Sequence, residues 1–435
     1  MRKLSRVAVD TTALRESRDF RLLTAGTVIT GLGAQAALVA LPYQTYVITK
    51  SAFLTGMLGL AELIPLVAAS LYAGAFADRY DRRKILMLAQ TALVLVAAGL
   101  TVAALTGPPP VWILFVLAGA TAGAASVERV TRTSIVPNTV PPHLLRSALS
   151  LTFGLVQLTM VLGPALGGLL IAGFGIASPY IVDGMSCIGM LAAAWALSPQ
   201  PPYVADLAPG ETPPAHEPVG QSIRGGLSFV RKSQALVASF VIDLAAMTFG
   251  MPRALFAVLS VSVFHTGATG TGFLYAAVSF GAVIAALTTG WLEHARWLGR
   301  IVLAAVFVWG AAIALAGLMP TIIPALVLFA IAGAADSVSA VCRSTISQSV
   351  TPDHMRGRMS SVFMVVVASG PRLGDVESGT VASITSPKFS VVSGGVACMA
   401  SVGLVALFLP GLAAYDGDIA APVTEGPIEP ITAAA

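Results

Sequence analysis

Long apolar runs alternate with short polar turns along the whole chain, at roughly 22–48, 54–77, 85–106, 111–135, 147–173, 178–197, 234–263, 270–292, 298–318, 321–345, 358–382 and 388–409. At 1.5 Å per residue each run is long enough to cross hydrocarbon as a helix. The pattern predicts an all-α polytopic membrane protein with twelve transmembrane helices. One long interruption, S-P-Q-P-P-Y-V-A-D-L-A-P-G-E-T-P-P-A-H-E-P-V-G-Q-S at 198–222, is Pro-rich and polar, so it reads as a linker that divides six spans from six. Directly after it, Ile223 to Ser233 sets Arg224, Arg231 and Lys232 beside Leu227, Phe229 and Val230, the pattern of a short helix at the membrane surface. The organisation expected is a segment 1–21, a bundle 22–197, a linker with surface helix 198–233, a second bundle 234–409 and a tail 410–435.

The polar turns are not equivalent. Of the 25 lysines and arginines, Lys50 and Lys388 fall in one set of alternate turns, Arg253 and Arg372 fall within spans, and all the others fall in the opposite set, at the first segment or in the linker region. Cations concentrate on the cytoplasmic side of membrane proteins, so this asymmetry predicts both termini on the cytoplasmic side. The first 21 residues carry Arg2, Lys3, Arg6, Arg15, Arg18 and Arg21 without an early apolar core, which argues against a cleaved signal peptide.

The two halves are also related in sequence. R-T-S-I-V-P-N-T-V-P-P-H from Arg132 aligns with R-S-T-I-S-Q-S-V-T-P-D-H from Arg343, an offset of 211 residues that also carries Gly163 onto Gly374 and Gly168 onto Gly379. A parallel repeat of six spans, with substrate held between the halves near the midplane, is one architecture of secondary transporters.

Composition changes little in this picture. Hydrophobic residues make up 56% and charged residues 11% of the 435, the mean hydropathy is +0.84 and the formal charge +4, far from soluble composition and without a case for nucleic-acid binding. Cys187, Cys342 and Cys398 are far apart in apolar surroundings, and the histidines are scattered at span ends, so neither a disulfide framework nor a metal site is expected. No phosphate-binding G-x-x-x-x-G-K-[ST] loop and no catalytic constellation is visible. No cofactor is expected and the protein does not read as an enzyme.

The densest charge run, G-A-F-A-D-R-Y-D-R-R-K from Gly74 to Lys84, joins the second and third spans. Its charges cannot enter hydrocarbon, so it is an aqueous turn. Gly74 would let backbones approach, and Asp78 could sit at the positive end of a neighbouring helix, which makes the turn a candidate latch. The run resembles the loop signature of the major facilitator superfamily, matched at Gly74, Asp78, Arg79, Arg82 and Arg83, with departures at Phe76 and Asp81. In the fifth span, V-L-G-P-A-L-G-G bends at Pro164 and presents Gly163, Gly167 and Gly168 for close packing. It is similar to the G-P-x-x-G-G element of superfamily members that export by antiport, with Thr159 in place of the usual preceding glycine.

Ionisable residues inside spans are costly and mark function or tight pairing. In the eleventh span, Arg372 and Asp375 share a helix face, whereas Glu377 points about 200° away from Asp375. Glu62 stands about 12 Å into the second span, and opposite Arg372 it is a candidate outer gate. Asp243, in the seventh span, is a candidate for proton or cation coupling; Arg253 and Asp183 are also embedded. Glu128, Arg129, Arg132, Asp336 and Arg343 lie toward the inner ends of the fourth and tenth spans, where pairing with each other or Asp78 would make an inner gate. Gln35, Tyr43 and Tyr46 are cavity candidates, and Trp112, Trp195, Trp291 and Trp297 fit an interfacial belt.

Together L-P-Y-Q-T-Y from Leu41, A-E-L-I-P-L from Ala61, A-D-R-Y-D-R-R from Ala77 and G-P-R-L-G-D-V-E-S-G from Gly370 resemble the facilitator branch of the bacterial enterobactin exporter and macrolide efflux proteins. The resemblance implies two pseudo-symmetric six-helix bundles and proton-driven export of a small organic molecule, a siderophore or an antibiotic, by alternating access. The partners expected are substrate, protons and lipid. One chain holds both halves and could work alone. The usual mid-membrane arginine motif of the fourth span is not recognisable. An uptake symporter and a non-transporting receptor fit the spans and the repeat equally well, and the Gly163–Gly168 element with the Arg372–Glu377 cluster favours export.

Overall fold

The computed structural model describes residues 11–77, 79–201, 219–352 and 355–416. Its helices are α1 (Thr12–Glu16), α2 (Arg18–Thr49), α3 (Ala52–Ala77), α4 (Arg82–Leu105), α5 (Val111–Thr139), α6 (Leu145–Phe174), α7 (Ser178–Ala196), α8 (Val219–Lys232), α9 (Gln234–Phe249), α10 (Leu255–Val258), α11 (Gly267–Thr288), α12 (Leu298–Leu318), α13 (Ile322–Val350), α14 (Arg356–Ile384) and α15 (Pro387–Phe408). Asp78, most of the linker, and the first and last segments lie outside the described residues.

Local signals explain the boundaries. Ser17, Asp81, Ser233 and Ser386 accept hydrogen bonds from the first turns of α2, α4, α9 and α15, relieving donors that have no intrahelical partner. α5 and α13 run on to Thr139 and Val350, past the predicted ends at 135 and 345, and each stops just ahead of a proline, Pro141 or Pro352. The repeat is visible in these helices: both are 29 residues long, and both ends are offset by 211.

Among the described residues, ten helices are long and apolar enough to cross a membrane. The other two crossings depart for separate reasons. α14 carries Arg356, Arg358, Arg372, Asp375 and Glu377, which lower its hydropathy. The seventh crossing, read as one apolar run over 234–263, is broken. α9 ends at Phe249, residues 250–254 are irregular, and α10 passes into a π-helical turn at Leu259–Val263. Gly250 and Pro252 account for the break, since proline has no N–H to donate and disfavours a helical residue before it. The freed groups are satisfied, as a membrane interior demands: the Gly250 carbonyl accepts from Trp309 Nε1 at 2.8 Å, and the Arg253 carbonyl accepts from the Tyr275 hydroxyl at 3.0 Å.

α2–α7 form one bundle and α9–α15 the other. α8 meets α9 at 112° and packs part of its apolar surface on protein: Phe229 and Val230 are buried while Leu227 is exposed, and a Cβ on Gly226 would lie 2.6 Å from the Arg358 carbonyl of α14. The described start of the tail is packed as well. Leu412 is buried, Asp416 pairs with Arg296 at 2.6 Å, and Gly411 N–H donates to Gln234 Oε1 at 3.0 Å. The three cysteines are free and buried.

Candidate functional site

The bundles meet through two seams, α3 against α14 and α6 against α11. Both are built on small residues that let backbones touch. A Cβ on Gly168 would lie 2.6 Å from the Ala268 carbonyl and 3.0 Å from Gly272 Cα; a Cβ on Gly379 would lie 2.6 Å from the Ala52 carbonyl and 2.9 Å from Gly56 Cα. The seams are images of one another, because Gly168 and Gly379 differ by the 211-residue repeat offset and Gly272 and Gly56 stand in the same relation to them. Gly163 and Gly167 use another face of α6 and pack on Gln35 and Ala36 of α2, while Pro164 puts its carbonyl against Gly272.

One seam is charged. Glu62 of α3 faces Arg372 of α14 across the bundles, with Oε2 and Nη2 3.6 Å apart. Asp375, at the repeat position equivalent to Pro164, turns back into its own bundle. Its Oδ2 accepts from Arg253 Nη2 at 2.8 Å and its Oδ1 from the Ala254 N–H at 3.0 Å, so α14 clasps the broken seventh crossing. Glu377 is half-buried and has no polar partner among the described residues. Tyr43 reaches Gly267, the first residue of α11, placing it beside the second seam, and Tyr46 is buried with Lys50 Nζ 6.0 Å from its ring centre.

A second charged group is buried within the C-terminal bundle. Arg343 of α13 lies 2.6 Å from Asp243 Oδ1 on α9 and 3.8 Å from Asp336 Oδ1 on its own helix. Asp243, a candidate carrier from the sequence, is therefore held to a cation. In the N-terminal bundle Glu128 pairs with Arg132 one turn on, at 2.7 Å, while Arg129 is exposed. Because α5 is longer than expected, Arg129 stands ten residues from its end, about 15 Å deep at 1.5 Å per residue.

The Gly74–Lys84 turn ties its own bundle together. Arg82 Nη1 donates to the Ser134 carbonyl at 3.1 Å, Arg83 donates to the Ala194 and Trp195 carbonyls at the end of α7, and Asp81 accepts from Arg83 N–H at 2.9 Å and from Gln200 N–H at 3.2 Å. Cations suit the exposed carbonyls of a helix C-terminus. Arg79 is exposed, and a Cβ on Gly74 would meet nothing within 4 Å, so the close approach expected at Gly74 is absent here. The reason is geometric. The bundle-to-bundle contacts described above all lie toward the Lys50–Lys388 end, and the polar ties named at the cationic end stay within one bundle.

Sequence reasoning missed the Gln44–Tyr180 hydrogen bond, 2.8 Å and fully inside the first bundle, and the Tyr275 and Trp309 support of the helix break. The Gly250–Pro252 pair was the available signal for the break; nothing local points to Tyr180.

Two repeat-related bundles of apolar helices, joined by small-residue seams and carrying embedded charges, define a membrane transporter of the major facilitator fold. A bacterial homolog of the human lysosomal transporter Spinster, solved inward-facing and unoccupied, superposes with a TM-score of 0.67 at 15% identity over 92% of this chain and 97% of that one. The chain belongs to the transmembrane secretion effector family, whose model matches residues 11–429. It is similar to the enterobactin exporter EntS of Shigella boydii serotype 4, 29% identical over 358 residues covering 82% of this chain and 83% of that protein. EntS of Citrobacter koseri is 26% identical over 373 residues, 86% and 87% of the two chains.

Proposed function

We propose that this protein exports a small organic molecule, of the siderophore or lipophilic antibiotic class, across the bacterial cytoplasmic membrane in exchange for protons, by alternating access. The observation that carries the reading is the Glu62–Arg372 bridge. It joins the bundles at one seam near the sparsely charged end, while the ties named at the cationic end are internal to each bundle. With the cationic end cytoplasmic, as the positive-inside asymmetry supports, this arrangement opens inward with its outer side shut. The resemblance to siderophore exporters supports the direction and the substrate class.

In this scheme the inward-open form takes substrate between the bundles, the α3–α14 and α6–α11 seams part as the cationic ends close, and Glu62 and Arg372 separate. Gly74 and Arg79 then meet the opposite bundle, giving the turn its latch role in the outward-open form only. Arg129, deep on α5 and exposed, is the cation best placed to meet an anionic substrate group. The six spans at 22–197 and the six at 234–409 move as the two bodies, and one chain suffices.

Proton flux in sealed proteoliposomes under an imposed pH gradient, with catecholate siderophores and lipophilic antibiotics added singly, tests the proposal. Substrate-triggered proton movement down the gradient, lost in Glu62→Gln, is the expected result. Binding of these compounds without proton movement would refute the antiport mechanism.

A further inference from the structure

The Asp243–Arg343–Asp336 group has two acids and one base. With both acids ionised it carries a net negative charge in the protein interior, and burial disfavours that state; one bound proton neutralises it. The two acids are not equivalent. Asp243 is 2.6 Å from the guanidinium and its side chain is 3% exposed, whereas Asp336 is 3.8 Å away and 24% exposed. At any one dielectric the attraction at the shorter distance is about 1.5 times that at the longer.

Three further observations converge on Asp336. Its Oδ1 is buried without a hydrogen-bond partner, as is the hydroxyl of Ser339, a residue with no exposed surface one turn along the same helix face, whereas Asp243 Oδ1, also without a hydrogen bond, has Arg343 Nη1 at 2.6 Å. Asp336 also lines a cavity of about 10 Å³ beneath the broken seventh crossing, bounded by Gly250, Met251, Pro252 and Trp309, which is room for one water. The helices packed around it add no competing charge. Asp243 comes from α9 and Arg343 from its own helix, while α11 and α12 contribute Val278, Trp309 and Ile313.

We infer that this cluster is a proton-binding site in which Asp336 carries the exchangeable proton, Asp243 and Arg343 form the permanent pair, and a water at the helix break conducts the proton to it. Its part in transport rests on the antiport reading; the proton site itself does not.

The test is an infrared pH titration of the full-length protein in lipid membranes, following protonated-carboxyl absorption in choline chloride. The expected result is a titrating band that is lost in Asp336→Asn, kept in Asp336→Glu, and moved to lower pH in Asp243→Asn, where Arg343 is left to Asp336 alone. Asp336→Asn leaves the tighter ion pair intact, so it is the decisive variant, and thermal unfolding checks that Asp243→Asn is folded. A band that persists in Asp336→Asn but vanishes in folded Asp243→Asn would move the proton to Asp243 and overturn the assignment. So would the absence of any titrating band, or a wild-type band removed by exchanging choline for sodium at constant pH, which would make the ligand a metal cation. A normal band in a protein that shows no substrate-driven proton flux would remove the antiport reading and leave the proton site standing.

Discussion

Arg343 is the residue on which the C-terminal bundle's electrostatics depend, because two carboxylates face it inside the membrane. Removing one partner of a buried pair leaves an uncompensated charge, so Arg343→Met is expected to destabilise the protein by about 3–5 kcal/mol, read as a lowered thermal unfolding midpoint in detergent. The double variant Arg343→Met/Asp243→Asn should recover much of that loss, since exchanging a whole buried pair for neutral groups is far less costly than breaking it. Glu62 and Arg372 differ in kind, since they join two bodies rather than two helices of one. Glu62→Gln should leave stability nearly unchanged but shift the conformational balance by about 1–3 kcal/mol, roughly 5–150-fold. Spin labels at Phe53 and Ile384, both exposed at the ends of α3 and α14, would report this as a longer-distance population. An unchanged distance distribution would remove the gate role from this pair.

At the scale of helices, the two seams share one geometry and differ in chemistry. A side chain at Gly379 or Gly168 would press on backbone atoms that cannot rotate away. Gly379→Val and Gly168→Val are therefore each expected to cost about 1–3 kcal/mol of the closed outer form, as overpacked sites do, with the same spin-label pair reporting the first. Gly189→Ala, on α7 with open space around it and on neither seam, should leave that distance unchanged and serves as the control. Most of this architecture was legible in the sequence. Span positions and the repeat follow from the need to bury apolar surface in lipid and backbone in helices, and Gly168 and Gly379 were already paired by the offset of 211. The break at Gly250–Ala254 was hidden by an apolar run that continues through it. Partner choice was hidden for another reason. Asp375 lies one helical turn from Arg372 yet binds Arg253, 122 residues away, and only the tertiary approach of α14 to the broken crossing decides that. Gly74, where a close backbone approach was expected, faces open space in the arrangement seen here.

For the molecule as a whole, the sidedness assigned from its cations is directly testable. Green fluorescent protein fused after residue 416 should fluoresce, and alkaline phosphatase fused after Lys50 or Lys388 should be active; the reverse pattern would invert the orientation and with it the direction of opening. The division of polar ties between the bundles has a further consequence. Arg82–Ser134 and Arg83–Ala194 complete the first bundle, Arg296–Asp416 and Gly411–Gln234 complete the second, and glycine-lined backbone surfaces join them. Peptide continuity between the halves is then a convenience of synthesis. A gene severed between the codons for Pro201 and Val219 should yield two polypeptides that find each other in the membrane and co-purify through an affinity tag on either one.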